Sequence, residues 1–233
     1  MNALVLLVAL AAADSGYKKL PEDACPGRGQ FRDDHFQKLG PLPECPGSED
    51  GSIFPRLLRG GAPNRKGLRC LKEQGVTAVI DLRSRGEEGQ KEEEKAAAEL
   101  GLEYFNFPMT TYGGLEKCEK DFTEKTEKNR TATERAKEKI IELHKSSPSA
   151  RIYVHCAHGQ DRTGLFLGLL RMELDQCSPS VTRAEMTRYK YSPYCSLEEV
   201  WKERSPLPSE AGACGNSCSK KSPPLIPGLG EKP

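Results

Sequence analysis

The sequence predicts a single α/β domain whose central, mostly parallel sheet is flanked by helices. Short apolar runs rich in β-branched residues alternate along the chain with longer stretches of helical periodicity. Strands that alternate with helices are typical of layered folds in which helices connect parallel strands. The chain of 233 residues is long enough for one domain of ordinary size with a full core, and it contains no internal repeat.

The predicted strands are the apolar runs at residues 53–58, 76–82, 102–107 and 151–155. The predicted helices cover residues 65–74, 87–100, 119–144, 163–174, 181–191 and 197–203. Two of these helices are followed directly by a glycine, Gly75 or Gly101, and glycine is the residue that closes a helix most easily. The helix at 119–144 is highly charged, and its Glu and Lys side chains predict a solvated, ion-paired face.

Residues 1–13 are predicted to be a signal peptide. The segment from residue 3 to 13 carries no charge, is too short to span a bilayer, and ends in three alanines that fit a signal-peptidase site before Asp14. The alternative is a buried N-terminal helix of a cytosolic protein. We expect a periplasmic or secreted protein without a membrane anchor, because no later segment is apolar enough to span a bilayer.

Composition divides the rest of the chain into three parts. Residues 14–52 are rich in Pro, Gly and acidic side chains, which predicts an irregular N-terminal extension. Residues 53–204 hold all the predicted strands and helices and form the folded domain. Residues 205–233 are dominated by Pro, Gly and Ser, which predicts a flexible tail.

The chain contains nine cysteines, at positions 25, 45, 70, 118, 156, 177, 195, 214 and 218. If Cys156 is kept as a reactive thiol, the rest are even in number and can form four disulfides in an exported protein. The pairing stays open, although Cys25 and Cys45 are placed to tie down the N-terminal extension. The alternative is that several are buried thiols, but Cys214 and Cys218 lie in the Gly- and Ser-rich tail and favour pairing.

The net charge excludes some classes of partner. The 35 basic and 34 acidic side chains nearly cancel, so no overall field favours nucleic acid or a membrane surface. A strongly anionic substrate must then be held by a local cluster of cations. A stretch without acidic residues, from position 55 to 69, contains such a set: Arg56, Arg59, Arg65, Lys66 and Arg69. The alternative is that these side chains are solvated surface.

One segment combines a strand, a tight loop and a helix in a way that predicts an anion-binding site. The strand at 151–155 leads into a loop that opens at Cys156, closes at Arg162 and continues into a helix. Backbone N–H groups at such a helix N-terminus converge on an anion, and with a nearby cation they favour thiolate over thiol. A thiolate can attack phosphorus while the planar guanidinium of Arg162 holds two phosphoryl oxygens. Thr163 is placed to donate a hydrogen bond to the sulfur.

The pattern Cys-x5-Arg-Thr, preceded by a His after an apolar strand, resembles the protein tyrosine phosphatase superfamily. Upstream, LLRGGAPNRKGLRCLKEQGVTAVIDLR, a helix and then LGLEYFNFPM are similar to the N-terminal half of the compact dual-specificity type. The resemblance covers residues 54–191 and implies a tyrosine-phosphatase-like fold with Cys156 and Arg162 as catalytic residues. It also implies a set of substrate-binding residues in the loop: Ala157, His158, Gly159, Gln160 and Thr163.

The family's general acid has no obvious counterpart. In the family a mobile loop after the preceding strand usually carries an Asp that protonates the leaving oxygen, but residues 107–115 contain no acid. The nearest acids are Glu116, Glu119 and Asp121. Asp161 is predicted as catalytic instead, because some phosphoinositide phosphatases of the superfamily are similar in carrying an Asp there. Its alternative role is to order the loop.

The loop CAHGQDRTG in a compact, exported chain is most similar to the bacterial tyrosine-phosphatase-like phytases, which remove phosphates from inositol hexakisphosphate. This resemblance implies an inositol polyphosphate as substrate. The alternatives are a tyrosine or dual-specificity phosphatase acting on phosphopeptides, an RNA 5′-triphosphatase, and a phosphate-binding module without turnover. His155, Cys156 and His158 lack a clear fourth metal ligand, so we expect no metal and no other cofactor. His155 and Asp81 are interpreted as structural residues.

Overall fold

The computed structural model describes residues 36–48, 52–112 and 123–205. The predicted signal peptide lies outside the described residues, as does the predicted tail apart from its first residue. Within the described residues, no helix combines the length and apolar character needed to cross a bilayer.

A five-stranded sheet forms the centre of the domain. In chain order its strands are β1 Gln37–Lys38, β2 Leu57–Gly60, β3 Val76–Asp81, β4 Glu103–Asn106 and β5 Arg151–His155. Their order across the sheet is β1-β2-β5-β3-β4, so β5 is central and flanked by β2 and β3. Only the β1–β2 pair is antiparallel, whereas the other three pairs are parallel. This arrangement confirms the predicted mostly parallel α/β sheet.

In the described part of the chain, six helices cover the sheet: α1 Arg65–Glu73, α2 Gln90–Glu99, α3 Thr123–Ser146, α4 Asp161–Leu174, α5 Pro179–Arg188 and α6 Cys195–Arg204. Alternate residues of the central strand point to opposite layers, as strand geometry requires. Ile152 and Val154 pack in the cluster that holds α3, α4 and α6, whereas Tyr153 packs with α1 and α2. Apolar burial on both faces therefore fixes β5 rigidly, and β5 is the strand that ends at the cysteine loop.

Several predicted element boundaries differ from the structure, and the helices predicted at 181–191 and 197–203 in fact span Pro179–Arg188 and Cys195–Arg204. The run predicted as a strand at 53–58 begins as a 3-10 turn over Phe54–Arg56, and strand pairing starts only at Leu57. Its second residue, Pro55, has no N–H to donate to a strand ladder, which explains the late start. The helix predicted from residue 87 begins at Gln90, after Gly89 with a φ of 73°. The helix predicted from residue 163 begins two residues earlier, at Asp161.

Part of the predicted irregular extension belongs to the packed domain, so the boundary at residue 53 is placed too late. Within residues 36–48, Phe36 and Leu39 are buried and β1 extends the sheet through its pairing with β2. Cys45 forms a disulfide with Cys177, just after α4. A two-residue strand carries too little pattern to be recognised in a sequence.

The structure confirms the prediction of disulfides. Besides the Cys45–Cys177 bridge, Cys70 and Cys195 are disulfide-bonded, whereas Cys156 is a buried free thiol. The Cys45–Cys177 bridge ties the segment around Cys45 to a residue 132 positions away in sequence.

Candidate active site

The cysteine loop lies between the carboxyl end of β5 and the first turn of α4. β5 ends at His155, and α4 begins at Asp161, so Arg162 and Thr163 belong to the helix rather than to the loop. The loop is tied to the segment after β2 by a backbone hydrogen bond of 3.1 Å from the Ala62 N–H to the carbonyl of Ala157. The Cys156 thiol therefore sits at a helix N-terminus, where the helix dipole favours a negative charge.

The Cys156 side chain is adapted to ionise. Burial alone would raise the pKa of this thiol, but the charge of Arg162 and hydrogen bonds from Thr163 and the His158 backbone N–H outweigh it and lower the pKa. The Thr163 hydroxyl oxygen is fully buried and has no other hydrogen-bond partner in the described part of the chain, so it is available to the sulfur. A buried thiolate with a cation beside it is the nucleophile that the sequence predicts.

Arg162 is held in place by Glu87, a residue that the sequence analysis did not identify. The guanidinium makes two hydrogen bonds to the Glu87 carboxylate, one of them at 3.1 Å, and a further one of 3.4 Å to the Met109 carbonyl. Glu87 is itself positioned by the backbone N–H of Ser84, 2.8 Å from its Oε1. Such a two-point ion pair fixes the plane of a guanidinium, which must face the oxygens of a bound phosphate.

The location of Glu87 explains why it reaches the site. It lies in the loop after β3, and β3 is the parallel neighbour of β5. Because the carboxyl ends of parallel strands meet at one edge of a sheet, the loop after β3 lies beside the cysteine loop. The predicted helix at 87–100 hid this residue, because it placed Glu87 inside a charged helix.

His155 lies beneath the loop and is completely buried. Its Nδ1 is 3.1 Å from the carbonyl oxygen of Cys156, and its Nε2 is 2.8 Å from Glu93 and 3.9 Å from Asp81. Burial alone would lower the pKa of His155, but the two carboxylates outweigh it and raise the pKa. The raised pKa favours the doubly protonated imidazole, in which Nδ1 donates to the Cys156 carbonyl.

The same buried network contains a second cation, Arg83. Its guanidinium bonds both oxygens of Asp81, at 3.0 and 3.1 Å, and Glu93 at 2.5 Å. Burial would raise the pKa of Asp81, but His155 and Arg83 lower it to about 2, so the carboxylate stays charged. Arg83 and His155 thus face two buried carboxylates, Asp81 and Glu93. The predicted structural roles of His155 and Asp81 agree with these positions.

Gly159 allows the loop to pass close to the end of β2. Its φ is 71°, and a Cβ at this position would lie 2.3 Å from the carbonyl carbon and oxygen of Gly60. Arg59 secures the contact, because its guanidinium donates a hydrogen bond of 2.7 Å to the Gly159 carbonyl and stacks 3.8 Å from the centre of the Tyr189 ring. No residue with a side chain fits at Gly159 without moving the loop.

The predicted basic run does not form one surface. Arg59 reaches the cysteine loop, but Arg56 lies 3.3 Å from His144 and Arg65 pairs with Glu99. One of its five cations is therefore seen at the loop. Two other cations near the loop, Arg188 and Lys190, come from the end of α5 and the residues after it.

Three predicted substrate-binding residues, His158, Gly159 and Gln160, line a cavity of about 240 Å³ beside the loop. Its other lining residues come from β1, from β2 and the residue after it, and from the end of α5 and the residues after it: Gln37, Arg59, Gly60, Gly61, Arg188, Tyr189 and Lys190. The cavity is therefore shared between the cysteine loop and the segment after α5, which the sequence analysis did not connect to the site.

The structure gives Asp161 a positioning contact. Its Oδ1 accepts a hydrogen bond of 2.8 Å from the backbone N–H of Ser192, which joins the first turn of α4 to the segment between α5 and α6. Burial raises the pKa of Asp161 despite that hydrogen bond and the nearby His158 and Arg162. The other acids considered, at 116, 119 and 121, lie outside the described residues. Within the described chain, no cluster of three or more His, Cys, Asp or Glu side chains is arranged to hold a metal ion.

Comparison with known proteins identifies the family. A model of the tyrosine phosphatase family matches residues 54–178, which is more than half of the chain. The fold is similar to P. aeruginosa TpbA, with a TM-score of 0.45 and 14% identity over 64% of this chain and 80% of that one. It is also similar to Tk-PTP in its active form (TM-score 0.49, 17% identity, 70% and 96% covered). The core catalytic domain of the PP-IP phosphatase SIW14 from S. cerevisiae gives a TM-score of 0.44 and 17% identity, with 62% and 78% covered. No curated protein sequence matches the chain.

Proposed function

Because the chain belongs to the tyrosine phosphatase family and is a phosphatase, we propose that it removes phosphate from inositol polyphosphates through a phosphocysteine at Cys156. The observation that carries the mechanism is the buried thiol with a lowered pKa beside an arginine that Glu87 holds in two-point contact. This arrangement supplies a nucleophile and an oriented cation for the same phosphoryl group.

The reaction proceeds in two displacements. The Cys156 thiolate attacks phosphorus, the bond from phosphorus to the ester oxygen breaks, and the leaving oxygen takes a proton. Arg162 and the loop N–H groups stabilise the charge on the equatorial oxygens. Water then attacks the phosphocysteine, releasing inorganic phosphate and restoring the thiolate, which the Thr163 hydroxyl stabilises as the leaving group.

Asp161 is the proposed source of the proton for the leaving oxygen. It lies next to Arg162 in the first turn of α4, and its raised pKa favours the protonated form that a general acid needs. The hydrogen bond from Ser192 leaves its second oxygen to act. An Asp161→Asn variant that keeps full activity on an alkyl phosphate would assign the proton transfer elsewhere.

The charge beside the loop supports a polyanionic substrate. Arg59, Arg188 and Lys190 line the cavity that His158 and Gln160 share with the cysteine loop. Clustered cations attract a ligand that carries several phosphates more strongly than a ligand that carries one. A phosphotyrosine peptide is the competing substrate class.

The proposed function is tested by phosphate release from inositol hexakisphosphate and from a phosphotyrosine peptide, measured side by side without added metal. We expect release from the inositol compound, loss of turnover in Cys156→Ser, and a phosphate adduct on Cys156 in acid-quenched protein. Full activity of Cys156→Ser would disprove the mechanism. Release from the peptide alone would instead assign the protein to the phosphopeptide class.

We also propose that the protein works in an oxidising compartment, outside the cytoplasm. Disulfides persist mainly in such compartments, and the Cys45–Cys177 bridge and the bonded states of Cys70 and Cys195 support this location. Titration of the native protein purified from its source should find far fewer free thiols than the nine cysteines of the sequence. Nine free thiols in that material would contradict the proposal.

A further inference from the structure

The highly charged helix α3 carries an amide side chain, Asn129, on its buried face. Asn129 is completely buried, on the same side of the helix as Ala136 and Ile140. Burying an amide costs free energy unless its oxygen and its N–H groups are hydrogen-bonded, and an apolar residue would cover the core at lower cost. The partners of Asn129 therefore indicate its role.

These partners lie outside α3. The Asn129 Oδ1 accepts a hydrogen bond of 2.7 Å from the backbone N–H of Thr110, in the segment after β4. Its Nδ2 donates to the carbonyl oxygens of Thr110, at 3.0 Å, and of Ser196 in the first turn of α6, at 3.2 Å. The Ser196 hydroxyl donates to the same Thr110 carbonyl at 3.0 Å. The backbone of Thr110 is thus held at both its N–H and its C=O.

The Thr110 N–H belongs to the same peptide unit as the Met109 carbonyl. Because a trans peptide unit is planar, its N–H and C=O point in opposite directions. By holding the N–H, Asn129 aims the Met109 carbonyl away from α3, where the carbonyl accepts hydrogen bonds from the Ser84 hydroxyl at 3.0 Å and from Arg162 Nη1 at 3.4 Å. Asn129 therefore reaches Arg162 through a single peptide plane.

The Met109 carbonyl shares the support of Arg162 with Glu87. Nη1 of Arg162 contacts both the Glu87 carboxylate and this carbonyl. Ser84 joins the two acceptors, because its backbone N–H donates to Glu87 and its hydroxyl donates to Met109. A guanidinium held by two linked acceptors keeps its plane, which decides how well it bonds the oxygens of a phosphoryl group.

We infer that Asn129 is a positioning residue for phosphoryl transfer, because it orients the Met109–Thr110 peptide whose carbonyl helps to hold Arg162. This inference rests on the proposed function, since it requires Arg162 to bind the phosphoryl group that Cys156 attacks. Asn129 acts through the peptide alone and takes no part in the bond changes.

The test compares Asn129→Ala with the wild-type protein in kcat/KM on an aryl phosphate and in inhibition by vanadate, an oxyanion that imitates the phosphoryl group in transit. The matched control is Thr133→Val, one turn further along the buried face of α3, where the hydroxyl donates to the Asn129 backbone carbonyl within the helix. Alkylation of Cys156 counts the active molecules, so that unfolded protein is not mistaken for slow protein. We expect about tenfold lower kcat/KM and about tenfold weaker vanadate inhibition in Asn129→Ala, and changes below about twofold in the control.

Two further variants separate positioning from packing. Asn129→Asp keeps an acceptor for the Thr110 N–H but loses both donors, so it should unfold at lower urea concentration than the wild-type protein and yet keep kcat/KM within about threefold. Asn129→Ala combined with Glu87→Gln should depart by more than about threefold from the product of the single losses, because both residues act on Arg162. Thr133→Val combined with Glu87→Gln should give the simple product.

The outcomes distinguish this inference from the proposed function. A wild-type protein that hydrolyses no phosphate ester, or a fully active Cys156→Ser variant, defeats the proposed function and the role of Asn129 with it. An active wild-type protein whose Asn129→Ala variant matches Thr133→Val overturns the inference alone. Unchanged vanadate inhibition, an equal loss in Asn129→Asp, or simple multiplication with Glu87→Gln also overturns it. If Asn129→Ala does not fold, Ser196→Ala decides, because it loosens the same Thr110 backbone: vanadate inhibition about threefold weaker supports the inference, and unchanged inhibition contradicts it.

Discussion

Replacing Glu87 with glutamine should slow catalysis without raising the pKa of the Cys156 thiol. The substitution keeps the size of the side chain but removes its charge and one of its two acceptor oxygens for Arg162. Arg162 would then keep one oriented contact with residue 87 and the 3.4 Å contact with the Met109 carbonyl. A guanidinium that rotates out of plane stabilises the equatorial phosphoryl oxygens less well.

The structure sets the expected size of the effect. A hydrogen bond to a charged group is worth about 1.5–3 kcal/mol, and about 1.36 kcal/mol corresponds to a factor of ten in rate. The Glu87 side chain is 31% exposed, which places the loss toward the lower end of this range because solvent screens the pair. We therefore expect kcat/KM to fall about 10- to 30-fold.

The assay measures kcat/KM on an aryl phosphate together with the pH dependence of Cys156 alkylation by iodoacetate. Glu88→Gln is the matched control, because the adjacent Glu88 is exposed and makes no side-chain contact with Arg162. Loss of the Glu87 charge leaves Arg162 less neutralised, so the pKa of Cys156 should fall or stay constant while the rate drops. The reasoning is refuted if Glu87→Gln matches Glu88→Gln, or if the rate drops together with a rise in the pKa of the thiol.

Three further variants test the loop and the network beneath it. Gly159→Ala places a Cβ 2.3 Å from backbone atoms of β2, so kcat/KM should fall about 100-fold; a change of less than threefold would show that the loop moves freely. Thr163→Val removes the buried hydroxyl, so the pKa of Cys156 should rise, and unchanged iodoacetate kinetics near neutral pH would contradict this. Glu93→Gln breaks a buried ion pair, so the free energy of unfolding should fall by about 3 kcal/mol in urea. Because the folded pKa of His155 is raised, its stabilisation is complete below its unfolded pKa and is lost as pH rises through the folded value. The deficit of Glu93→Gln should therefore be larger at about pH 6 than at about pH 9, and a constant deficit would show that His155 does not take part.

The sheet and the nucleophilic loop could be predicted because their signals are local. β3 and β5 are continuous apolar runs, and both appear within one residue of their predicted ends. Cys156 and Arg162 are separated by five residues, so one short segment carries the nucleophile, the cation and the helix start. By contrast, the position of Gly159 at a positive φ beside Gly60 depends on a distant part of the chain.

Glu87 and Glu93 could not be recognised for the same physical reason. Both lie in an acidic stretch whose composition favours an exposed helix, and the sequence shows nothing that separates one carboxylate from the next. Gly86 and Gly89, with φ of 82° and 73°, break the helix so that Glu87 turns toward Arg162. Glu93 faces inward because it lies on the side of α2 that covers the sheet, where Arg83 and His155 compensate its charge.

The cavity beside the cysteine loop shows most clearly what neighbouring residues in the sequence do not predict. Arg59 belongs to a basic run in the sequence, but the nearest cations of that run, Arg56 and Arg65, contact His144 and Glu99 instead. In the cavity Arg59 lies with Arg188 and Lys190, which are far from it in sequence. β2 and the turn after α5 meet because β2 pairs with β5 and α5 packs on α4, which follows β5 directly. The residues that line this cavity therefore come together through the topology of the domain.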